Sequence, residues 1–287
     1  MLSLLSGLVE QVAEELLLRL PGSEPGRVDV DGLTDRLRRS GLLTGPALIG
    51  LLVRRADLIA FRASARQQDD AGPLKAWAND PDRGLASAAM AVVIARASAK
   101  DRFGRPGFSL ADCDAETAVA VTYAVAAALP GPPESLVAAA VDLLARHDEG
   151  ERLDAQQARL MLALDRLGRL DGALLLSLLA QGEAGLLAEG LARLARIPAA
   201  EAWHMLTSRN GGEVGHLLRL ADLARPFAAG LIAALSELRA LHDPADAMAA
   251  FDGMTADEAN AERTRMRLPT SFLSARTALE GHGQRGA

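Results

Sequence analysis

The residues best suited to chemistry are two Glu-x-x-His units, Glu201 with His204 and Glu213 with His216. On a helix this spacing sets a carboxylate and an imidazole on one face, an arrangement that di-iron carboxylate bundles use twice. Such a centre also needs two further glutamates on long helices lying side by side. Here the N-G-G break from Asn210 to Gly212 separates the units, and two pairs of solvent-facing polar residues are the simpler reading. His147 stands with Asp148, Glu149 and Glu151, and His242 with Asp243 and Asp246. Either group has the residue types for acid–base work. Both lie at helix ends ahead of chain breakers, where a histidine favours the negative end of the helix dipole. Cys113 lies between Asp112 and Asp114, whose charges raise a thiol's pKa and make it a poor nucleophile. The glycines near 104–107 and 210–212 lack the Lys-Ser/Thr that follows a phosphate-cradling loop. The expectation is a protein with no catalytic, cofactor-binding or metal-ligating residue, and not an enzyme.

Two surface readings remain. Residues 191–206 have the two-helix outline of a helix-turn-helix DNA reader. Trp203 and Leu206 on its second helix read as core, however, and basic residues there are few. Arg193, Arg196, Arg209 and Arg219, with Trp203, form the candidate partner-binding set, a ridge suited to an acidic partner; ordinary solvated arginines are the plainer alternative.

The elements that must position these residues are legible around the run L-D-R-L-G-R-L-D-G-A-L-L-L-S-L-L-A-Q-G, residues 164–182. Leu160, Leu164 and Leu167 share a helical face. Gly168 is a natural left-handed stop, and Asp171 can cap the next helix. Leu174, Leu175, Leu178 and Leu179 supply that helix's buried stripe. A second copy lies 127 positions upstream, with Leu33, Leu37, Gly41, Leu43 and Thr44 standing for Leu160, Leu164, Gly168, Leu170 and Asp171. Such self-similarity marks stacked repeats, in which no unit buries its apolar face alone.

Composition points the same way. Of 287 residues, 49% are hydrophobic but only 3% aromatic, so Leu, Ala and Val must do the packing. Segments with a strand's alternation are few, and an all-α fold follows. A net charge of −6 disfavours a dedicated nucleic-acid binder. One cysteine excludes an internal disulfide or a thiolate metal cage. No apolar run is long enough to span a bilayer. The N-terminus, carrying Glu10, Glu14 and Glu15, reads as an amphipathic helix rather than a signal peptide, and a cytoplasmic protein is expected. This first helix can cap the stack or mediate self-association. The Ala- and Val-rich helix over residues 82–102 looks buried on most sides. Breakers divide the chain into an N-terminal helical half, 1–147, a C-terminal helical half, 148–250, and a polar helix with tail, 251–287.

D-R-F-G-R-P (101–106), L-x-x-L-G-R-L-x-x-x-L-L-L-x-x-L (164–179) and L-A-R-L-A-R-I-P (191–198) resemble a bacterial family, found mainly in alpha-proteobacteria, known as domain of unknown function 2336. The resemblance covers roughly residues 50 to 245. It implies HEAT-like helical repeats, stacked αα-hairpins in a right-handed solenoid, and carries over no catalytic residues. The function expected is a non-enzymatic interaction scaffold, or an adapter or regulator in bacterial signalling, whose partner is another protein or a second copy of the chain. The alternatives are a metal-dependent, di-iron-like enzyme and a DNA-binding regulator.

Overall fold

The computed structural model describes residues 1–20, 29–65, 72–98, 106–239 and 243–269, with positions 272, 275, 276 and 279. Residues 101–105 of the first family motif, His242, the tail from residue 280, and the expected loop residues 22–28 and 69–71 lie outside them. The described residues form fifteen α-helices and no β-strand. The chain divides into two compact units, residues 1–64 with 69–163, and residues 65–68 with 164–287.

The first unit holds α1 (Leu2–Leu18), α2 (Val30–Arg39), α3 (Pro46–Ser64), α4 (Gly72–Ala78), α5 (Arg83–Ser98), α6 (Ala115–Ala128), α7 (Pro133–Leu144) and most of α8 (Leu153–Arg166). Its core is built on α1. Leu5, Leu8, Val9, Val12 and Leu16 recur at helical spacing and are buried, and α1 packs against α2, α6 and α7. Each such side chain contributes about 1.5–3 kcal/mol. The apolar stripe of α1 is thus occupied within its own unit. The side chain of Gln11 accepts a bond from the Leu110 amide at 3.0 Å, tying α1 to a 3-10 turn at Leu110–Asp112. The expectation of a largely buried helix near 82–102 is corrected. Only Leu85, Ala89 and Val92 of α5 are buried, while Met90, Val93 and Ile94 are exposed. Alanine and valine specify a helix, but they do not say how many neighbours it has.

The second unit holds α9 (Gly172–Ala180), α10 (Ala184–Ala195), α11 (Ala199–Thr207), α12 (Gly211–Leu220), α13 (Arg225–Arg239), α14 (Pro244–Gly253) and α15 (Ala256–Met266). Ten of the twelve residues of α10 are buried, Glu189 among them, and α9, α11 and α12 surround it. Packing runs from each helix to the next, a solenoid-like arrangement. Several contacts skip a helix, α10 with α12 and above all α12 with α14, and α13 also returns onto α9, where Gly172 lies against the Phe227 ring.

The glycine stops form as their sequence demands. Gly41 and Gly168 have φ of 78° and 66°, a region costly for residues with a Cβ. The next amide reaches back in each case, from Leu42 to the Leu37 carbonyl at 3.2 Å and from Arg169 to that of Leu164 at 2.9 Å. Asp171 caps α9 by accepting from the Leu174 amide at 2.8 Å. Thr44 does not play the matching part: its hydroxyl turns back and donates to the Gly41 carbonyl at 2.7 Å.

Candidate functional site

The two Glu-x-x-His units sit on α11 and α12, joined by a short link in which Asn210 caps α12 by accepting from the Gly212 amide at 3.0 Å. The turn cross-pairs them. His204 Nε2 lies 4.0 Å from Glu213 Oε2, an ion pair when the imidazole is protonated. Glu213 Oε2 is shielded from water without a hydrogen bond, whereas the His204 side chain is 76% exposed. His216 faces another helix. Glu262 of α15 is held below the usual carboxylate range mainly by its bond from Arg265, opposed by burial, with the charges of Arg265 and His216 adding to the shift. Among the described residues no three His, Cys, Asp or Glu side chains come together as a metal-ligand group.

The five candidate partner-binding residues fall in different settings. Arg193 pairs with Asp165, Nε to Oδ2 at 2.7 Å. Arg196 is exposed, and its carbonyl accepts from Arg267 at 2.8 Å. Arg209 is exposed on the link between α11 and α12. Arg219 is a structural clamp: it donates to the Met254 carbonyl at 2.9 Å and lies 6.0 Å above the Phe251 ring. Trp203 is 8% exposed and belongs to the core with Leu206. Of the helix-turn-helix outline, α10 is enclosed and α11 shows Glu201 and His204 to solvent.

In the first unit the acid–base group near His147 works largely as structure. Asp148 caps a 3-10 turn by accepting from the Gly150 amide at 2.7 Å. The Glu149 carboxylate accepts from the Ala115 amide at the start of α6, and Gln156 donates to the Gly150 carbonyl at 2.8 Å. A cavity of about 280 Å³ beside this turn is lined by Gln11, Glu15, Arg19, Arg146, His147 and Glu151. Arg19 within it binds Glu15 at 2.5 Å and Asp142 at 2.9 Å. Asp243 caps α14 through the Ala245 and Asp246 amides. Cys113 is fully buried, and its thiol is pushed up to about 12, first by burial and then by Asp112 and Asp114. The neighbouring carboxylates act in the expected direction, with desolvation the larger cause.

Two features escaped the sequence reading. Gly211 and Gly215 on α12 face the backbone of α14. A Cβ on them would stand 2.4 Å from the Asp243 carbonyl oxygen and 2.0 Å from that of Ala247. The signal was the G-x-x-x-G of residues 211–215. The other is an exposed apolar face on α6 and α7, where Val119, Tyr123, Val137 and Val141 are 43%, 39%, 49% and 53% exposed.

A family model described as "Uncharacterised protein conserved in bacteria (DUF2336)" matches residues 75–264. The match begins later than the resemblance suggested and takes in most of α15, which that resemblance left out. No curated protein and no solved structure matches the chain. No helix among the described residues is long and apolar enough to cross a membrane.

Proposed function

Because the chain belongs to this uncharacterised bacterial family, we propose that it acts as a non-enzymatic interaction scaffold, an adapter or regulator in bacterial signalling that binds another protein. The observation carrying this reading is the placement of Val119, Tyr123, Val137 and Val141, which stand in solvent on regular helices. Apolar surface, where it is contiguous, usually marks an interaction site. The test is affinity capture of the tagged full chain from its own host. Two variants serve as controls, Val137→Asp with Val141→Asp in the first unit and Arg196→Asp with Arg209→Asp in the second. A discrete partner lost from one variant supports the scaffold. Nothing captured, or the same proteins captured by both variants, counts against it.

One observation favours a second reading as a metal-dependent enzyme: the shielded, unbonded Glu213 Oε2 facing His204. That reading requires iron or manganese in the purified protein, lost on His204→Ala. Metal-free, fully folded protein ends it.

A further inference from the structure

Resting on the scaffold reading, we infer that the outer face of α6 and α7 is the docking surface, and that its occupant is a basic amphipathic helix of another protein. Both helices pack on α1 and against each other, and each leaves an apolar turn exposed. Val119 and Tyr123 follow one another by a turn on α6, as do Val137 and Val141 on α7. Exposed Ala120 and Ala138 adjoin them, leaving room for a third helix to approach closely, since small side chains shorten interaxial distance. At 1.5 Å per residue the face is about 18–21 Å long, enough for a partner helix of roughly three to four turns.

Charge selects among occupants. From residue 106 to residue 145 the chain carries no Lys, Arg or His, and five acids: Asp112, Asp114, Glu116, Glu134 and Asp142. Three of these are engaged. Asp112 accepts from Ser109, Asp114 caps α6, and Asp142 is held by Arg19 and Arg146. Arg36, at the far end of α6, donates to the Ala128 carbonyl and offsets part of the negative charge at that end. Glu116 and Glu134 remain, exposed in the first turns of α6 and α7. The two helices form a hairpin, so these carboxylates stand at opposite ends of an apolar strip. Such a strip repels the phosphates of nucleic acids and anionic lipids. It also disfavours a second copy of itself, because overlapping two such faces sets carboxylate against carboxylate. A helix with an apolar stripe and Lys or Arg near both ends matches it, in the manner of other helix-in-groove complexes.

The experiment places a photo-crosslinking residue at Val137 of the full chain in its host, and in a parallel preparation at Arg209 of the second unit. The adducts are then identified by peptide sequencing. The expected adduct at Val137 maps to a helical segment with an apolar stripe flanked by Lys or Arg. Its yield falls about fivefold when Glu116→Lys and Glu134→Lys are combined, as reversing two rim charges should do, in protein that circular dichroism shows to be folded at the temperature of the experiment. An adduct to a second copy, to lipid or to an acidic segment overturns the inference, as does a yield indifferent to charge reversal. Adducts at Arg209 but none at Val137 overturn this face and leave the scaffold reading standing. Adducts at neither position count against both.

Discussion

At the scale of single residues, the described chain contains two side-chain-bearing residues in the left-handed region, Arg196 with φ 55° and Asp222 with φ 53°. Both end helices where glycine is the usual choice. After each, the next amide reaches back, Ile197 to the Ala192 carbonyl and Leu223 to that of Leu218. Left-handed backbone costs a residue with a Cβ about 1 kcal/mol. The ion pair of Asp222 with Arg219, at 3.8 Å and largely exposed, offsets little of that. Asp222→Gly is therefore expected to stabilise the protein by about 0.5–1 kcal/mol, raising the melting temperature by a few degrees. A lower melting temperature would show that the pair outweighs the strain. Cys113 gives a second expectation. Its folded thiol keeps its proton up to about 12 against an ordinary 9.0. Between those values the unfolded chain binds fewer protons than the folded one, so stability declines as pH rises. Iodoacetamide at pH 9 should leave the folded protein unlabelled and label it promptly in denaturant. Rapid labelling without denaturant would place the thiol outside the core.

At the scale of elements, glycine has opposite meanings in two helices. Gly7 in α1 has nothing near the position a Cβ would take, whereas Gly215 in α12 lies against the carbonyl of Ala247. Gly7→Ala is expected to add about 0.5–1 kcal/mol through helix propensity. Gly215→Ala must push α14 away and should cost about 1–3 kcal/mol or more. Denaturant titration of the two variants checks both signs. Equal effects would mean that α12 and α14 are not held so closely. The same contrast separates α10, enclosed, from α5, exposed along Met90, Val93 and Ile94.

At the scale of the whole molecule, the division into two compact units predicts that damage stays local. Gly215→Ala should speed amide hydrogen exchange in α10, α12 and α14 while leaving α1, α6 and α7 as protected as before, because cooperative opening follows contiguous packing. Equal loss of protection throughout would show that the units open as one. The docking face belongs to the first unit, so its crosslink is expected to survive Gly215→Ala.

The sequence alone determined what depends on a few neighbouring residues. The helices, the Gly168 stop, the Asp171 cap and the core positions of Trp203 and Leu206 all follow from helical periodicity and backbone sterics, and each is present. The burial and low reactivity of Cys113 were half legible, since the flanking acids are visible in sequence but the enclosing core is not. What only the tertiary structure decided depends on which helix lies over which. Arg219 reads as a surface arginine until α14 brings Met254 and Phe251 to it. Glu213 reads as the partner of His216 until the link after α11 sets it against His204. The cation-free stretch from 106 to 145 was plain in the sequence. It acquires a meaning only when α6 and α7 pack together on α1, because a face is made by two helices and the spacing within either one cannot specify its neighbour.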